Sequence, residues 1–569
     1  MFHHSDKNLR AIIWSLRGVP LGFWAGFIVA LASTVRIIQY CFNRSLWADE
    51  SVLALNIVNR SYGELLQPLD YDQGAPFGFL ILAKFATQLL GDNEYALRLF
   101  PLIGGIATLI IFYSIARHYL QGSSILIALT LIGFLDPVVY FSTEVKQYST
   151  DATIALICFW LAVQVPLKQP PFKVFLLAAT GALLIWCSHP AIFVLAGVTF
   201  SLLLRGWGRI EASPDRNQKD IKKGFLGSHF RKFFGLIKQQ ILTRKNLIIY
   251  ASWFISFLLF YLISIQGLSA NEALQESWRS KEAYPDSYNP ILFLIWFIDR
   301  LGRVFHSTLE FPAYADGVAI AAFVIGCISL FKRRRSEFLT LFSPIFATLF
   351  AAYLQKYPFH GRLVFFLTPF FVILVAAGID QLLKVRNPYL KSLSLLMAVF
   401  LLSQPLLETL PLFYQPKLRG DIKPVIEYVQ RHQKSGDVLY IFQRGIRQFE
   451  FYADRYGYAA GDYIVGIEDL DDIDGSEVSE QERIRYQHDL DQLRGNPRVW
   501  VLFSHAWVEE ENALMATYLD CLGQRKDTFQ AVGAFVYLYD LSDPSAVCNN
   551  RSQMTQLLAA VRIQDFEFK

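Results

Sequence analysis

Charge is scarce in this chain. Asp, Glu, Lys and Arg make up 18% of its 569 residues, where soluble domains average about 25%. Cysteine is scarce too: there are six, with no Cys-x-x-Cys pair, which excludes a disulfide framework and the common zinc spacings. The net charge is only +4, too little for the basic footprint of a nucleic-acid binder. Apolar side chains are abundant instead. The chain is 53% hydrophobic, with 48 Phe, 27 Tyr and 11 Trp, and its mean hydropathy is +0.31. Such a composition specifies a polytopic membrane protein.

A span needs about 17 to 25 mostly apolar residues. Segments free of Asp, Glu, Lys and Arg run over 18–35, 99–116, 118–135, 152–167, 174–204, 246–271, 317–331, 338–355, 363–379 and 392–407. The run 174–204 is too long for one helix and carries Ser188-His189-Pro190 at its middle, so it divides into two spans and gives eleven in total. Segment 290–311 is apolar but interrupted by Asp299, Arg300 and Arg303, the pattern of an interfacial helix.

Lys and Arg in the loops set the orientation. With the N-terminus cytoplasmic, the inner loops hold Lys7, Arg10 and Arg17; Arg117; Lys168 and Lys173; Arg205 through Lys245; Lys332 to Arg335; and Lys384, Arg386 and Lys391. Loop 205–246 alone has eleven Lys or Arg against three acids. The C-terminus is then outside the cytoplasm. The first apolar run has no small-residue cleavage site after it and is expected to remain as a span.

The chain divides into a membrane domain, 1–415, and a soluble tail, 416–569. In the tail, Val425 to Val429 has helical spacing, and 438–441, 499–503 and 534–539 read as strands with a helix near 509–522. A small α/β domain follows, with the acidic stretch Glu468–Glu482 as a solvated loop. Cys521 and Cys548 are its only cysteines, and an oxidising compartment allows them to bridge.

Ionisable groups at the outer ends of spans are the informative ones. The first group lies in outer loop 36–98: Trp47-Ala48-Asp49-Glu50, an amphipathic segment from Ser51 to Leu66, Asp72-Gln73-Gly74-Ala75-Pro76, and an apolar helix at 77–90. The second is Glu144-Val145-Lys146-Gln147-Tyr148, with Asp151 one turn on. If this stretch is helical, Glu144, Tyr148 and Asp151 share one face. The third is Lys356 to Arg362, between spans nine and ten and containing His360. The topology puts all three on one side of the membrane.

Asp49-Glu50 after span one, the amphipathic segment, a Pro before an apolar helix, and Ala96-Leu97-Arg98-Leu99-Phe100-Pro101 entering span two together resemble the GT-C membrane glycosyltransferases. More narrowly, residues 18–407 are similar to bacterial relatives of protein O-mannosyltransferases and of lipid A aminoarabinose transferases. The chain departs from the commoner pattern at Gly74-Ala75-Pro76, where many members have consecutive prolines, and at Gln73, where many have a basic residue.

The resemblance implies inverting transfer of a hexose or pentose from a polyprenyl-phosphate carrier to a lipid, glycan or protein acceptor. The expected place is the outer face of a bacterial inner membrane. It puts a general base at Asp49 and cations for the departing phosphate at Lys146 and Arg362, with Arg98 as a further candidate. Glu144 orients the acceptor or holds Lys146. Glu50, Asp72, Gln147, Tyr148, His189 and His360 are candidate substrate contacts. No cofactor is implied. Asp49, Glu50 and Asp72 are the carboxylates able to hold a divalent cation, which a monophosphate carrier does not require. The competing reading is a transporter or flippase of a lipid-linked saccharide; a third is an outer-face sensor. Transporters carry internal repeats and mid-span charges, whereas the charges here sit at the span ends.

Overall fold

The computed structural model describes residues 20–166, 169–211, 243–287, 289–312, 314–467, 479–505, 509–546 and 548. Each of the eleven predicted spans coincides with helix. The helices are α1 (Leu21–Cys41), α4 (Glu94–Tyr119), α5 (Ser123–Phe134), α7 (Tyr148–Gln164), α8 (Pro171–Cys187), α9 (Ala191–Glu211), α10 (Arg244–Phe260), α13 (Asp316–Tyr353), α14 (Thr368–Leu383) and α15 (Pro388–Thr409). α13 accounts for two predicted spans, because Arg334 at φ −141°, ψ 54° breaks its helical path between them. Among the described residues, five helical stretches are long and apolar enough to cross a bilayer unaided: Leu21–Cys41, Glu94–Tyr119, Arg244–Ser269, Gly361–Leu383 and Pro388–Phe413. A sixth candidate is α5 with α6 (Asp136–Tyr140) and the turn after it, bent by 59° at Leu135.

Two kinds of helix surface separate core from lipid. α14 is buried from Thr368 through Ile379, the all-round apolar pattern of a central helix. It packs so closely on α13 that a Cβ on Gly326 would strike the Leu374 carbonyl oxygen, and one on Gly378 the Ala322 carbonyl. Only glycine permits that approach between helices. In contrast, α8, α10 and α15 turn Phe172, Phe175, Phe254, Ile255, Leu395 and Leu396 outward. Apolar residues exposed in such stretches mark a membrane-facing surface. α12 (Pro290–Arg303) is the interrupted apolar segment, with Ile291, Leu294 and Ile298 exposed along it.

Loop 36–98 forms two short helices, α2 (Ala48–Asn59) and α3 (Phe77–Leu90). Between α10 and α12 lies a further short helix, α11 (Glu272–Ser280). The tail contributes α16 (Lys423–His432), β1 (Val438–Ile441), α17 (Ile446–Ala453), β2 (Ile464–Val465), α18 (Glu480–Asp491), β3 (Val499–Ser504), α19 (Glu509–Leu522), β4 (Gln524–Ala531) and β5 (Ala534–Asp540). Its mixed sheet has the order β2-β1-β3-β5-β4, parallel from β2 to β3 and antiparallel beyond. β4 and β5 join through a two-residue turn whose Gly533 sits at φ +68°. Cys521 and Cys548 are disulfide-bonded, with Cα atoms 5.5 Å apart. The expected acidic loop falls mostly on residues 468–478, outside the described residues, while Glu480 and Glu482 belong to α18.

The tail is tied to the membrane domain by buried and half-buried polar contacts. Lys423 and Arg455 reach Glu94 at 2.9 and 3.1 Å. The Leu46 N–H donates to the Tyr452 hydroxyl at 2.7 Å, and Ser45 donates to Asp421.

Candidate functional site

Neighbouring side chains at the start of α2 go separate ways. Glu50 turns inward, where Arg98 clasps it through Nε and Nη2 at 3.0 and 2.7 Å. The pair is 0% and 2% exposed. Arg98 gives two further N–H groups to the Arg44 and Ser45 carbonyls. Glu50 Oε1 also accepts the Val145 N–H at 2.7 Å, so this clasp fixes the backbone on which Glu144 and Lys146 sit. Arg98, expected as a phosphate contact, is thus occupied inside the framework, and Glu50 with it.

Asp49 faces the other way. Its Oδ1 accepts from Lys146 Nζ at 2.9 Å, and its Oδ2 accepts from Arg362. Lys146 also donates to Gln73 Oε1 at 2.7 Å. Three sequence groups separated by as many as 313 positions therefore meet at one carboxylate. The Asp49 and Arg362 side chains keep 18% and 40% of their surface exposed. Arg362 also lies over the Tyr148 ring, 5.6 Å from its centroid.

Residues 144–147 are not helical, contrary to the shared-face expectation. Glu144 is extended, at φ −110° and ψ 141°, and α7 starts only at Tyr148. Glu50's grip on the Val145 N–H removes that donor from any helical ladder. Glu144 therefore meets the site through Trp47, whose indole Nε1 donates to its Oε1 at 3.0 Å. Its Oε2 is buried without a partner. Gln147 donates to the Gly74 carbonyl at 3.3 Å. Asp72 accepts from Asn271 at 2.6 Å. Tyr71 and Asp72 both adopt positive φ, 61° and 51°, a turn that brings Gln73 onto Lys146. His360 lines a small cleft with Arg300, Arg303 and Thr308. His189 is half-buried against Phe260, their rings stacked with centroids 5.5 Å apart.

The charges do not balance. Burial works to raise the Asp49 pKa, but Lys146 and Arg362 outweigh it and hold the carboxyl well below the usual range. Burial lowers Lys146, with Asp49 opposing. Glu144 is pushed up to about 7, first by burial and then by Glu50, with Arg362 opposing. At neutral pH two cations thus face one full carboxylate and a partly protonated one. A half-buried surplus of positive charge is a seat for an anion.

Several tail residues border this site, and no local motif points to them. Arg419 stacks over Trp47 and Tyr140, 5.3 and 4.1 Å from the ring centroids. Arg447 lies 4.5 Å from the Tyr71 ring centroid. The His505 ring lies 5.9 Å from that of Trp47. These partners are hundreds of positions apart, and only the docked tail reveals them.

Among the described residues no group of three or more His, Cys, Asp or Glu side chains gathers as a metal cage. Asp72 and Glu50 are held by Asn271 and Arg98.

No protein-family model matches the chain, and no curated protein matches it. Among solved structures it is similar to the Archaeoglobus fulgidus oligosaccharyltransferase complexed with zinc and sulfate. That likeness is at 12% identity and TM-score 0.46, over 90% of this chain and 72% of that one. It is also similar to ArnT from Cupriavidus metallidurans bound to undecaprenyl phosphate, at 11% identity and TM-score 0.47, over 91% of this chain and 98% of that one.

Proposed function

We propose that this protein is a GT-C-type glycosyltransferase that moves a sugar from a polyprenyl-phosphate carrier to an acceptor hydroxyl outside the cytoplasm, with inversion. The observation that carries the proposal is the Asp49 carboxylate held between Lys146 and Arg362 in a site with surplus positive charge. Without donor, Asp49 occupies both cations and is a weak base. A donor phosphate competes for Lys146 and Arg362, and as they turn to it the carboxylate loses its stabilising charges and gains basicity. The acceptor hydroxyl then attacks the anomeric carbon while its proton passes to Asp49. The bond from that carbon to the phosphate oxygen breaks, and the polyprenyl phosphate leaves with its new charge against Lys146 and Arg362. Asp49 returns the proton to solvent.

The outward placement rests on the Lys and Arg bias of the loops. Purified protein given undecaprenyl-phosphate hexose or pentose, with solubilised membranes as the acceptor source, should transfer label. Lys146→Ala and Arg362→Ala should each lower donor affinity or rate by at least tenfold, the size of a lost charge-assisted contact. Full activity in both variants would return these residues to span anchoring.

A further inference from the structure

Polar atoms left unsatisfied inside the protein gather beside the candidate site. Among the described residues, four of the eleven buried side-chain atoms without a hydrogen-bond partner are Gln147 Oε1, Asp151 Oδ1, Ser188 Oγ and His189 Nε2. They belong to the start of α7 and to the turn between α8 and α9. The two stretches meet: Asp151 acts electrostatically on Cys187, and the Ser188 hydroxyl lies beside the Asp151 carboxyl, outside good hydrogen-bond geometry. Asp151 has no ion-pair partner among the described residues. An unpaired acid at a span end costs stability, and proteins keep such a cost where binding needs the group. The cluster begins where the phosphate seat ends. Gln147 follows Lys146 in the chain, and its Nε2 is spent on the Gly74 carbonyl, which leaves Oε1 as an acceptor. The Asp151 N–H donates to the Gln147 carbonyl at 2.8 Å, one turn further on. Tyr148 spans the interval: Arg362 lies over its ring, and its phenol is in electrostatic reach of both Asp49 and Asp151. Gln147, Tyr148 and Asp151 keep 5, 6 and 6% of their surface exposed, so a narrow opening reaches this turn.

We infer that Asp151, with Gln147 and Ser188, forms the subsite that takes the hydroxyl groups of the donor's sugar. The inference rests on the transferase reading above and adds to it what holds the sugar. A carboxylate and an amide oxygen only accept hydrogen bonds, while the Ser188 hydroxyl can give or take one. Their ligand must therefore bring O–H donors, and a sugar carries several. One helical turn, about 5.4 Å of rise, separates the phosphate seat from Asp151, a step comparable with the width of a sugar ring. With the phosphate on Lys146 and Arg362, bonds from the far hydroxyls to Asp151 fix the ring and leave its anomeric carbon toward Asp49. A carrier without sugar gains nothing from this subsite.

Asp151→Asn and Ser188→Ala, each in the full chain, separate sugar binding from packing. The donor is whichever of undecaprenyl-phosphate hexose and pentose the wild type transfers, and sugar-free undecaprenyl phosphate is the competitor. Asp151→Asn should raise the donor KM about tenfold, the value of one charge-assisted hydrogen bond, and Ser188→Ala should raise it a few-fold. Inhibition by the sugar-free carrier should keep its wild-type constant in both. The thermal midpoint of Asp151→Asn should equal or exceed that of wild type, because an unpaired buried charge has been removed. An unchanged donor KM in Asp151→Asn means that the cluster holds a trapped water only, which overturns the inference and leaves the transferase standing. So does a lowered midpoint with donor KM and carrier inhibition weakened together, or misfolding of both variants, which makes the cluster structural. A wild type that transfers neither sugar overturns the transferase reading, and this inference with it.

Discussion

Asp49 and Glu50 are adjacent acids with opposite surroundings, and the contrast yields separate predictions. Asp49→Asn keeps the shape of the side chain but cannot accept the acceptor's proton. Turnover should fall about a hundred- to ten-thousandfold while carrier binding persists; an unchanged rate would move the base elsewhere, with Glu144 next. For Glu144 the prediction concerns pH. Its folded pKa is raised from 4.5 to about 7, so its contribution to stability is fully present below about pH 4.5 and is lost as pH rises through about 7. Across that window the unfolded chain has released the proton that the folded one still holds, and the slope approaches about −1.4 kcal/mol per pH unit. Glu144→Gln can still accept the Trp47 N–H and should flatten that slope. Thermal unfolding of both proteins between pH 5 and 8 reads the difference, and parallel curves would contradict it.

At the scale of elements, the decisive feature is the Glu50–Arg98 clasp between α2 and α4, with its hold on the Val145 N–H. It keeps residues 144–147 out of helix and points Lys146 at Asp49. Removing one partner leaves the other charge buried and alone, which typically costs about 3–5 kcal/mol. Glu50→Ala should therefore lower the thermal midpoint far more than Asp49→Asn does, and it should lose activity through misplacement of Lys146. A stable Glu50→Ala protein with normal turnover would remove the clasp from the account. The Tyr71-Asp72 turn works the same way on a smaller scale, delivering Gln73 to Lys146 where the commoner pattern has a basic residue.

For the whole molecule, the tail docks on the face of the membrane domain that carries the candidate site. Lys423 and Arg455 neutralise Glu94, a carboxylate otherwise almost wholly buried. Arg419, Arg447, Gln448 and His505 bear on the loop that carries Asp49. Tail and site must then share one side of the membrane. A reporter active only outside the cytoplasm, fused after residue 415, should be active. Activity restricted to a cytoplasmic reporter would reverse the orientation and take the site with it.

The apolar runs determined the helices without help from tertiary structure, because the bilayer is a solvent that tests each segment alone. The tail's buried strands β1, β3 and β5 were legible for a similar reason, being short apolar runs between turns. β4 was not. Its sequence Gln-Arg-Lys-Asp-Thr-Phe-Gln-Ala is polar, and it becomes a strand only as the sheet's outer edge against β5. The residue types of the candidate site were legible as charges stranded at span ends, since such charges are costly without a task. Their division of labour was not. Arg98, Lys146 and Arg362 look alike in sequence, and only packing shows one locked to Glu50 and two turned to Asp49. The tail's share of the site was wholly hidden, because contacts between Trp47 and residues 419 or 505 arise from docking two domains, and docking leaves no local period in the chain.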